Sequence, residues 1–475
     1  MATSPTPTAP IELDGRTLEG GGQLIRIALC LSALTSVPVK ITHIRGNRSG
    51  GGGLKAQHLA CVNWLAQACN ARVEGGEKGS RTLLFVPHSA EADIEVEGWG
   101  VPPVFRKKVL KDGSRLWEAR LDIGTAGSTG LALQAILPFM LFTKLPGSEE
   151  NSIPIRLTLS GGTNVSGSPS YDYITQVLLP TLANIGFPGI TTTLGKRGWS
   201  QGGTSIGNFT LDIPPTSKLP LPAFQLTRED TEKRNRAKRP IAPCSLSATV
   251  IAPAAYHDHF RDRLATAIAM HFGSDDTAPD IPTEIHCEDS RHEKRLYLLM
   301  VAKIASRKPD TDSECTGLLH HYLGRDWLYN RKIPSNGHPK AIADMAGRVV
   351  RELHHEVSSG ACVDEHLQDQ MVVFQTLGEG RSEVFAGWEE EDGDGEERVA
   401  REPSLHARTA EWVCREMLGV RFDAGGVCEG SGYGGDTDGN GGGKGSEVEV
   451  EGATIGGLSE RTANLKLGDS EDRVS

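Results

Sequence analysis

The chain has 475 residues, 38% of them hydrophobic and only 5% aromatic, so an aliphatic core spread over two or three domains is expected. Lys plus Arg number 50 against 61 for Asp plus Glu, a net charge of −11, so any contact with nucleic acid must be a local basic patch on an acidic molecule. No apolar run is long enough to span a bilayer, the first ten residues lack the basic start and apolar stretch of a secretory signal, and the scattered cysteines form no C-x-x-C pair; the expectation is a protein with reduced thiols, nuclear or cytoplasmic, without structural zinc.

In chain order, residues 1–10 are Pro/Thr-rich and expected to be disordered. Ile11 to Leu13 reads as a short strand. Glu19-Gly20-Gly21-Gly22-Gln23 is a glycine loop entering a helix, with Leu24, Ile27, Leu31 and Leu34 as its apolar stripe. Glu19, Gln23 and Arg26 share another face at i, i+4 and i+7. Glycines let the backbone approach an anion, and Glu19 can hold a cation. The loop is not a phosphate-binding Walker sequence, because no Gly-Lys-Ser/Thr follows. Pro38 to Ile44 alternates as a strand. Arg45, Arg48 and the run Gly50 to Gly53 come next, then a helix from Leu54 to about Asn70 carrying Gln57 and His58. Arginine binds phosphate through a planar fork, so this turn reads as an oxyanion site or else as a solvated basic loop.

The pattern of helix, strand, glycine turn and helix then recurs. Thr125 to Phe142 reads as a helix, Ile155 to Leu159 as a strand, Gly161 to Asn164 as a turn and Tyr171 to Gly186 as a helix. It returns with a helix at Asp364 to Leu377, a strand at Glu383 to Phe385 and a helix at Leu405 to Leu418. Three copies of one α/β unit are inferred. Residues 220–325 read as an inserted domain, with a strand at Ser247 to Ala252, a helix at Tyr256 to Phe272 and an apolar run at Leu296 to Ala305. The basic run Lys233 to Pro240 reads as a solvated loop, a nuclear address or an RNA-facing patch. His338 to His355 is a further helix. The acidic stretch 389–402 interrupts the third unit, and the Gly-rich acidic tail from Asp423 is expected to be disordered.

Some polar residues stand inside apolar helices. Gln134 lies among Leu131, Leu133, Leu137 and Phe139; a buried Gln needs partners for donor and acceptor, and a nucleotide base supplies both. His366, Asp369 and Gln370 share one helix face at i, i+3 and i+4. Ser404 is a good N-cap, which puts His406 in the first turn of the last helix. The positive end of a helix attracts phosphate and disfavours imidazolium, so His406 is a nucleophile candidate. Each of these residues can instead be a satisfied core or surface polar group.

Taken together, the glycine loop from Glu19 to Arg26, Ile44 to Arg48, Gln57-His58-Leu59, Gly124 to Gln134, Gly161 to Asn164, His366 to Gln370 and Ser404-Leu405-His406 resemble the RNA 3′-terminal phosphate cyclase family, in family order from about residue 12 to 422. The resemblance implies an α/β (α+β) fold. Its large domain (11–219 and 326–422) would hold three repeated units of a sheet with two helices, similar to the C-terminal domain of translation initiation factor three. A smaller inserted α/β domain would occupy 220–325. It also implies that His406 is the covalent nucleophile and that Gln134, Pro169, His366, Asp369 and Gln370 line the ATP pocket. Arg26, Arg45, Arg48 and Gln57 would meet the phosphate at the RNA end, and Glu19 would sit near Mg²⁺ (or Mn²⁺). The family commonly has Tyr where His366 stands. The implied activity is that of a ligase forming a phosphoric ester: ATP-dependent conversion of an RNA 3′-terminal phosphate into a 2′,3′-cyclic phosphodiester through a histidine–AMP intermediate. The alternative is the non-catalytic branch that binds RNA during ribosomal RNA processing. That branch lacks the histidine, whereas His406 is present here. An enolpyruvyl transferase, of related repeated architecture, would need no such nucleophile.

Overall fold

The structure is a computed structural model. It describes residues 9–48, 51–87, 104–143, 153–215, 219–228, 242–273, 281–307, 318–334, 336–389 and 399–434. The basic run at 233–240, most of the acidic stretch and the chain from 435 lie outside the described residues.

The first sheet is built from β1 (Ile11–Asp14), β2 (Val39–Thr42), β3 (Arg72–Glu74) and β4 (Leu83–Val86), in the order β1-β2-β4-β3. β1 and β2 are parallel because helix α1 (Gln23–Thr35) crosses between them; the remaining pairs are antiparallel. Helix α2 (Ala56–Ala68) follows β2. The second sheet runs β5 (Phe105–Val109), β6 (Arg115–Asp122), β7 (Ile155–Gly161), β9 (Gly207–Ile213), β8 (Thr191–Lys196). Again one parallel pair, β6 with β7, is crossed by a helix, α3 (Thr129–Phe142). Helix α4 opens as Tyr171–Tyr173, widens to a π-turn over Ile174–Leu178 and closes as Leu179–Ile185. Pro180 has no N–H to give and stands where the wide turn gives way to α-helix.

Another sheet of the same order gathers β10 (Gln225–Leu226), β15 (Glu379–Val384), β17 (Val427–Ser431) and β16 (Arg421–Asp423). Its parallel pair is β10 with β15. A fourth sheet joins β12 (Thr283–Asp289), β11 (Ser245–Ala252), β13 (Tyr297–Arg307) and β14 (Leu318–Leu328). Helices α5 (His257–Phe272) and α6 (His338–Ser358) cover one face of it. The last two helices, α7 (Glu365–Leu377) and α8 (Leu405–Leu418), pack on each other, and α8 also packs on α1. The buried apolar side chains fall into two clusters, one joining the first three sheets and one between the fourth sheet and its two helices. No described helix is long and apolar enough to cross a membrane.

Several sequence readings need correcting. The helix expected from Thr125 starts at Thr129, because the Ser128 hydroxyl caps it by accepting from the Leu131 N–H at 3.0 Å and Gly124 has φ +70°. The strand expected at Glu383 to Phe385 begins at Glu379 and ends at Val384. The tail expected from Asp423 starts too early: Val427–Ser431 is a strand inside a sheet, its Cys428 fully buried. Residues 220–325 do not all travel together. Gln225 and Leu226 pair with Glu383 and Val384 in the sheet of β15, while β14 runs on to Leu328 and α6 packs on β13 and β14. Composition marks neither junction, since long-range pairing decides both.

Candidate functional site

A cleft of about 1630 Å³ lies where the elements of all four sheets meet. Every residue singled out above lines it: Glu19, Arg26, Arg45, Arg48, Gln57, Gln134, Pro169, His366, Asp369, Gln370 and His406. Each enters from an element whose local chemistry fixes it. Helix α8 begins where the Ser404 hydroxyl accepts the Ala407 N–H at 3.2 Å, which leaves His406 in the first turn, its side chain about half exposed (54%). Helix α7 begins where Asp364, fully buried, accepts from the N–H groups of His366 and Leu367 at 2.9 and 3.1 Å. This sets Asp369 and Gln370 one turn into the cleft wall.

The nucleophile candidate faces Glu19. Its Nδ1 lies 3.8 Å from Glu19 Oε1, and the same oxygen accepts from Arg48. The Glu19 side chain is almost fully buried, and its other oxygen, Oε2, has no hydrogen-bond partner among the described residues. The Glu19 N–H donates to the Thr409 hydroxyl at 3.2 Å, which pins the glycine loop to α8. Arg26 is buried beside them. It donates from Nε to Gln134 Oε1 at 3.0 Å and from Nη2 to Gln23 Oε1 at 2.5 Å. Gln134 in turn donates to Asp369 Oδ2 at 3.4 Å. Thus side chains of α1, α3 and α7 join in one chain of hydrogen bonds next to His406.

The electrostatics follow from burial. Desolvation lowers the Arg26 pKa to about 10, which still leaves it charged at neutral pH, and the Asp369 carboxylate opposes that shift. Burial raises the Asp369 pKa, with Arg26 opposing. His406 is pushed below the ordinary histidine value, chiefly by partial burial and further by Arg26 and Arg48, against the pull of Asp369. The shift favours the neutral ring, which keeps a lone pair. Arg45 has φ +54° and lays Nη1 on the carbonyls of Gly51 and Gly53, at 3.3 and 3.4 Å. Gln57 accepts the Ser128 N–H at 3.2 Å, tying α2 to the start of α3. His58 is buried, and its Nδ1 accepts the Lys55 N–H at 3.2 Å. Burial, Arg26 and Arg45 push its pKa down to about 3. A Cβ at Gly22 would lie 2.6 Å from His58 Nε2 and 2.9 Å from Arg26 Nη1, so a side chain there would have to displace both.

Such a site, an uncharged imidazole amid under-compensated arginines, is arranged for phosphate chemistry. A family model described as RNA 3′-terminal phosphate cyclase matches residues 17–424. The chain belongs to that family. An RNA 3′-terminal phosphate cyclase of Methanosarcina mazei is 30% identical over 418 residues, 87% of this chain and 96% of its own length. One of Pyrococcus furiosus is 30% identical over 421 residues, 88% and 96%. One of Nitrosospira multiformis is 29% identical over 411 residues, 86% and 92%.

This cyclase-family chain also brings in residues that the sequence reading did not single out. Arg325 and Asp326 of β14 line the cleft, and Arg325 Nη1 donates to His366 Nε2 at 2.9 Å. Burial pushes the Asp326 pKa up to about 6, while the Tyr297 hydroxyl donates to it at 2.9 Å. Two adjacent charges in a strand otherwise rich in Leu, Tyr and Trp were the signal available for them. No group of three or more His, Cys, Asp or Glu side chains that could hold a metal ion is present among the described residues. The unpartnered Glu19 oxygen still fits Mg²⁺, which takes one or two carboxylates and completes its shell with phosphate and water.

Proposed function

We propose that this chain uses ATP to convert an RNA 3′-terminal phosphate into a 2′,3′-cyclic phosphodiester, with His406 as the covalent nucleophile. The observation that carries the reading is the convergence of Glu19, Arg26, Gln134 and Asp369 on the neutral ring of His406. The imidazole nitrogen attacks the α-phosphorus of ATP; a nitrogen–phosphorus bond forms and pyrophosphate leaves. An oxygen of the RNA 3′-phosphate then attacks the same phosphorus, and the imidazole departs, leaving an RNA–AMP anhydride. The neighbouring 2′-oxygen attacks the RNA phosphorus, loses its proton and expels AMP. Imidazole is both nucleophile and leaving group, so one hard transfer becomes two easier ones.

In this reading Pro169 and His366 flank the base, and Gln134, Asp369 and Gln370 hold the nucleotide. Gln370 already donates to the His366 carbonyl at 3.0 Å, which supports a stiff wall there. Arg26, Arg45, Arg48 and Gln57 receive the RNA end phosphate. Glu19 would hold Mg²⁺ (or Mn²⁺), which when bound supplies positive charge to the phosphates. The recurring strand order of three sheets supports three repeated units similar to the initiation factor three C-terminal domain, with the fourth sheet as an insertion. The free described cysteines suit a reducing compartment, nuclear or cytoplasmic.

The test is incubation with ATP labelled on the α-phosphate. Acid-labile AMP should remain on the protein, and His406→Ala should abolish it. Folded, RNA-binding protein that takes no label with metal present would overturn this reading in favour of an RNA-binding role.

A further inference from the structure

Behind the cleft wall lies a buried charge relay to which nothing above assigns a role. Glu356 of α6 is completely buried. Its two oxygens serve two arginines: Arg325 of β14 on Oε1, and Arg401 on Oε2 at 2.8 Å. Arg325 also donates to Glu365 Oε2 at 3.1 Å and, from its other terminal nitrogen, to His366 Nε2 at 2.9 Å. Arg401 donates its N–H to the Gly387 carbonyl at 2.8 Å and its guanidinium to the Ala386 carbonyl. Three residues later the Ser404 cap opens α8 and sets His406. Arg325 and His366 line the cleft, whereas Glu356 and Arg401 do not.

We propose that Glu356, Arg325 and Arg401 are positioning residues: one carboxylate fixes both the imidazole against which the nucleobase lies and the segment that delivers the nucleophile. The inference rests on the assignment of ATP to this cleft. Three features carry it. First, an arginine fork is spent on a ring nitrogen. That bond makes Nε2 an acceptor, puts the ring proton on Nδ1 and fixes the plane of the ring. Second, burial opposes the charge of Arg325, yet Glu356, Asp364 and Glu365 more than offset it and raise its pKa. The donor therefore never switches off. Third, each oxygen of Glu356 has its own arginine, so movement of one arm is felt by the other. Phosphoryl transfer is sensitive to displacements of well under about 1 Å in such supports. The fourth sheet would thus reach the chemistry without touching a phosphate.

Arg325→Lys and Arg401→Lys keep a cation beside Glu356, but an ammonium cannot span two partners as a planar fork does. ATP and ribose 5-triphosphate, which has no base, are titrated calorimetrically into wild type and both variants. Self-labelling rates are measured with α-labelled ATP. Arg325→Lys should weaken ATP binding about tenfold, the worth of one charge-assisted hydrogen bond, and change ribose triphosphate binding by less than about twofold. Arg401→Lys should leave both affinities within about twofold yet slow labelling about tenfold. Glu356→Gln should show both defects. Equal loss of both ligands in Arg325→Lys, or no loss, would overturn the base-side arm. An unchanged labelling rate in Arg401→Lys, or one that falls only in step with ATP affinity, would overturn the other arm. Wild type that binds ATP without becoming labelled would defeat the proposed reaction and the Arg401 arm while the Arg325 comparison still stands. Wild type that does not bind ATP would defeat all of it.

Discussion

The two walls of the cleft bury arginine in opposite ways. On the wall built from α1 and α2, Arg26 has two amide oxygens as hydrogen-bond partners, and burial drags its pKa down to about 10 although the Asp369 carboxylate opposes this. On the wall built from β14, α6 and α7, Arg325 is just as buried but is held by Glu356 and Glu365, and its pKa rises. A buried cation that is already neutralised is part of the scaffold. One left nearly bare stores attraction for a ligand that brings the missing negative charge. The proposed phosphate wall and the proposed base wall thus differ in how much charge the arginine on each leaves uncompensated.

The sharpest way to break this comparison is to remove one partner on each wall. Arg26→Met deletes a desolvated charge with poor compensation. Unfolding free energy in denaturant titrations should stay within about 1 kcal/mol of wild type, while self-labelling falls at least about a hundredfold. Glu356→Ala leaves two buried arginines facing a void and should cost about 3–5 kcal/mol of stability. If Arg26→Met unfolded the protein and Glu356→Ala did not, the contrast would be reversed. A smaller effect sharpens the phosphate wall itself. The Arg45 guanidinium donates to the carbonyls of Gly51 and Gly53, so Arg45→Ala should slow AMP transfer to RNA by about tenfold while self-labelling changes less. Equal loss in the two steps would remove Arg45 from the RNA phosphate site.

The sequence marked the residues of the α1–α2 wall far better than those of the β14–α6 wall. Gln23 and Arg26 are three apart on one helix, and Arg45, Arg48, Gln57 and His58 crowd one glycine-rich turn; short spacing keeps such residues close in almost any fold. Ser404, too, announces the start of α8 locally, and the helix bounds follow from that cap and from Gly419 at φ +66°. Arg325 reaches His366 from 41 residues away, and Arg401 reaches Glu356 across 45. No periodicity or spacing marks a pair made by strand pairing and helix packing. Glu356 is the extreme case: in a helix of strong amphipathic pattern it looks like one more solvent-facing acid, yet it is fully buried because two arginines neutralise it. Val427–Ser431 escaped notice for a related reason. Its Glu429-Gly430-Ser431 resembles the tail that follows, and pairing with β15 and β16 makes it a strand.

A further effect concerns His58, the buried neutral histidine beside Arg26 and Arg45. Its folded pKa is about 3, while an unfolded histidine titrates near about 6.5. Below that value the unfolded chain takes up a proton that the folded chain refuses. The group therefore contributes its full stabilisation above about pH 6.5 and loses it progressively as pH falls toward 3. Between pH 7 and pH 5 the loss is on the order of 2 kcal/mol. His58→Asn keeps an acceptor for the Lys55 N–H but cannot titrate, so the drop in unfolding free energy over this interval should shrink by about that amount. At pH 7 the variant should sit within about 1 kcal/mol of wild type. An unchanged pH slope would mean that His58 takes up its proton in the folded state, and the phosphate wall would then carry one more positive charge than Arg26, Arg45 and Arg48 provide.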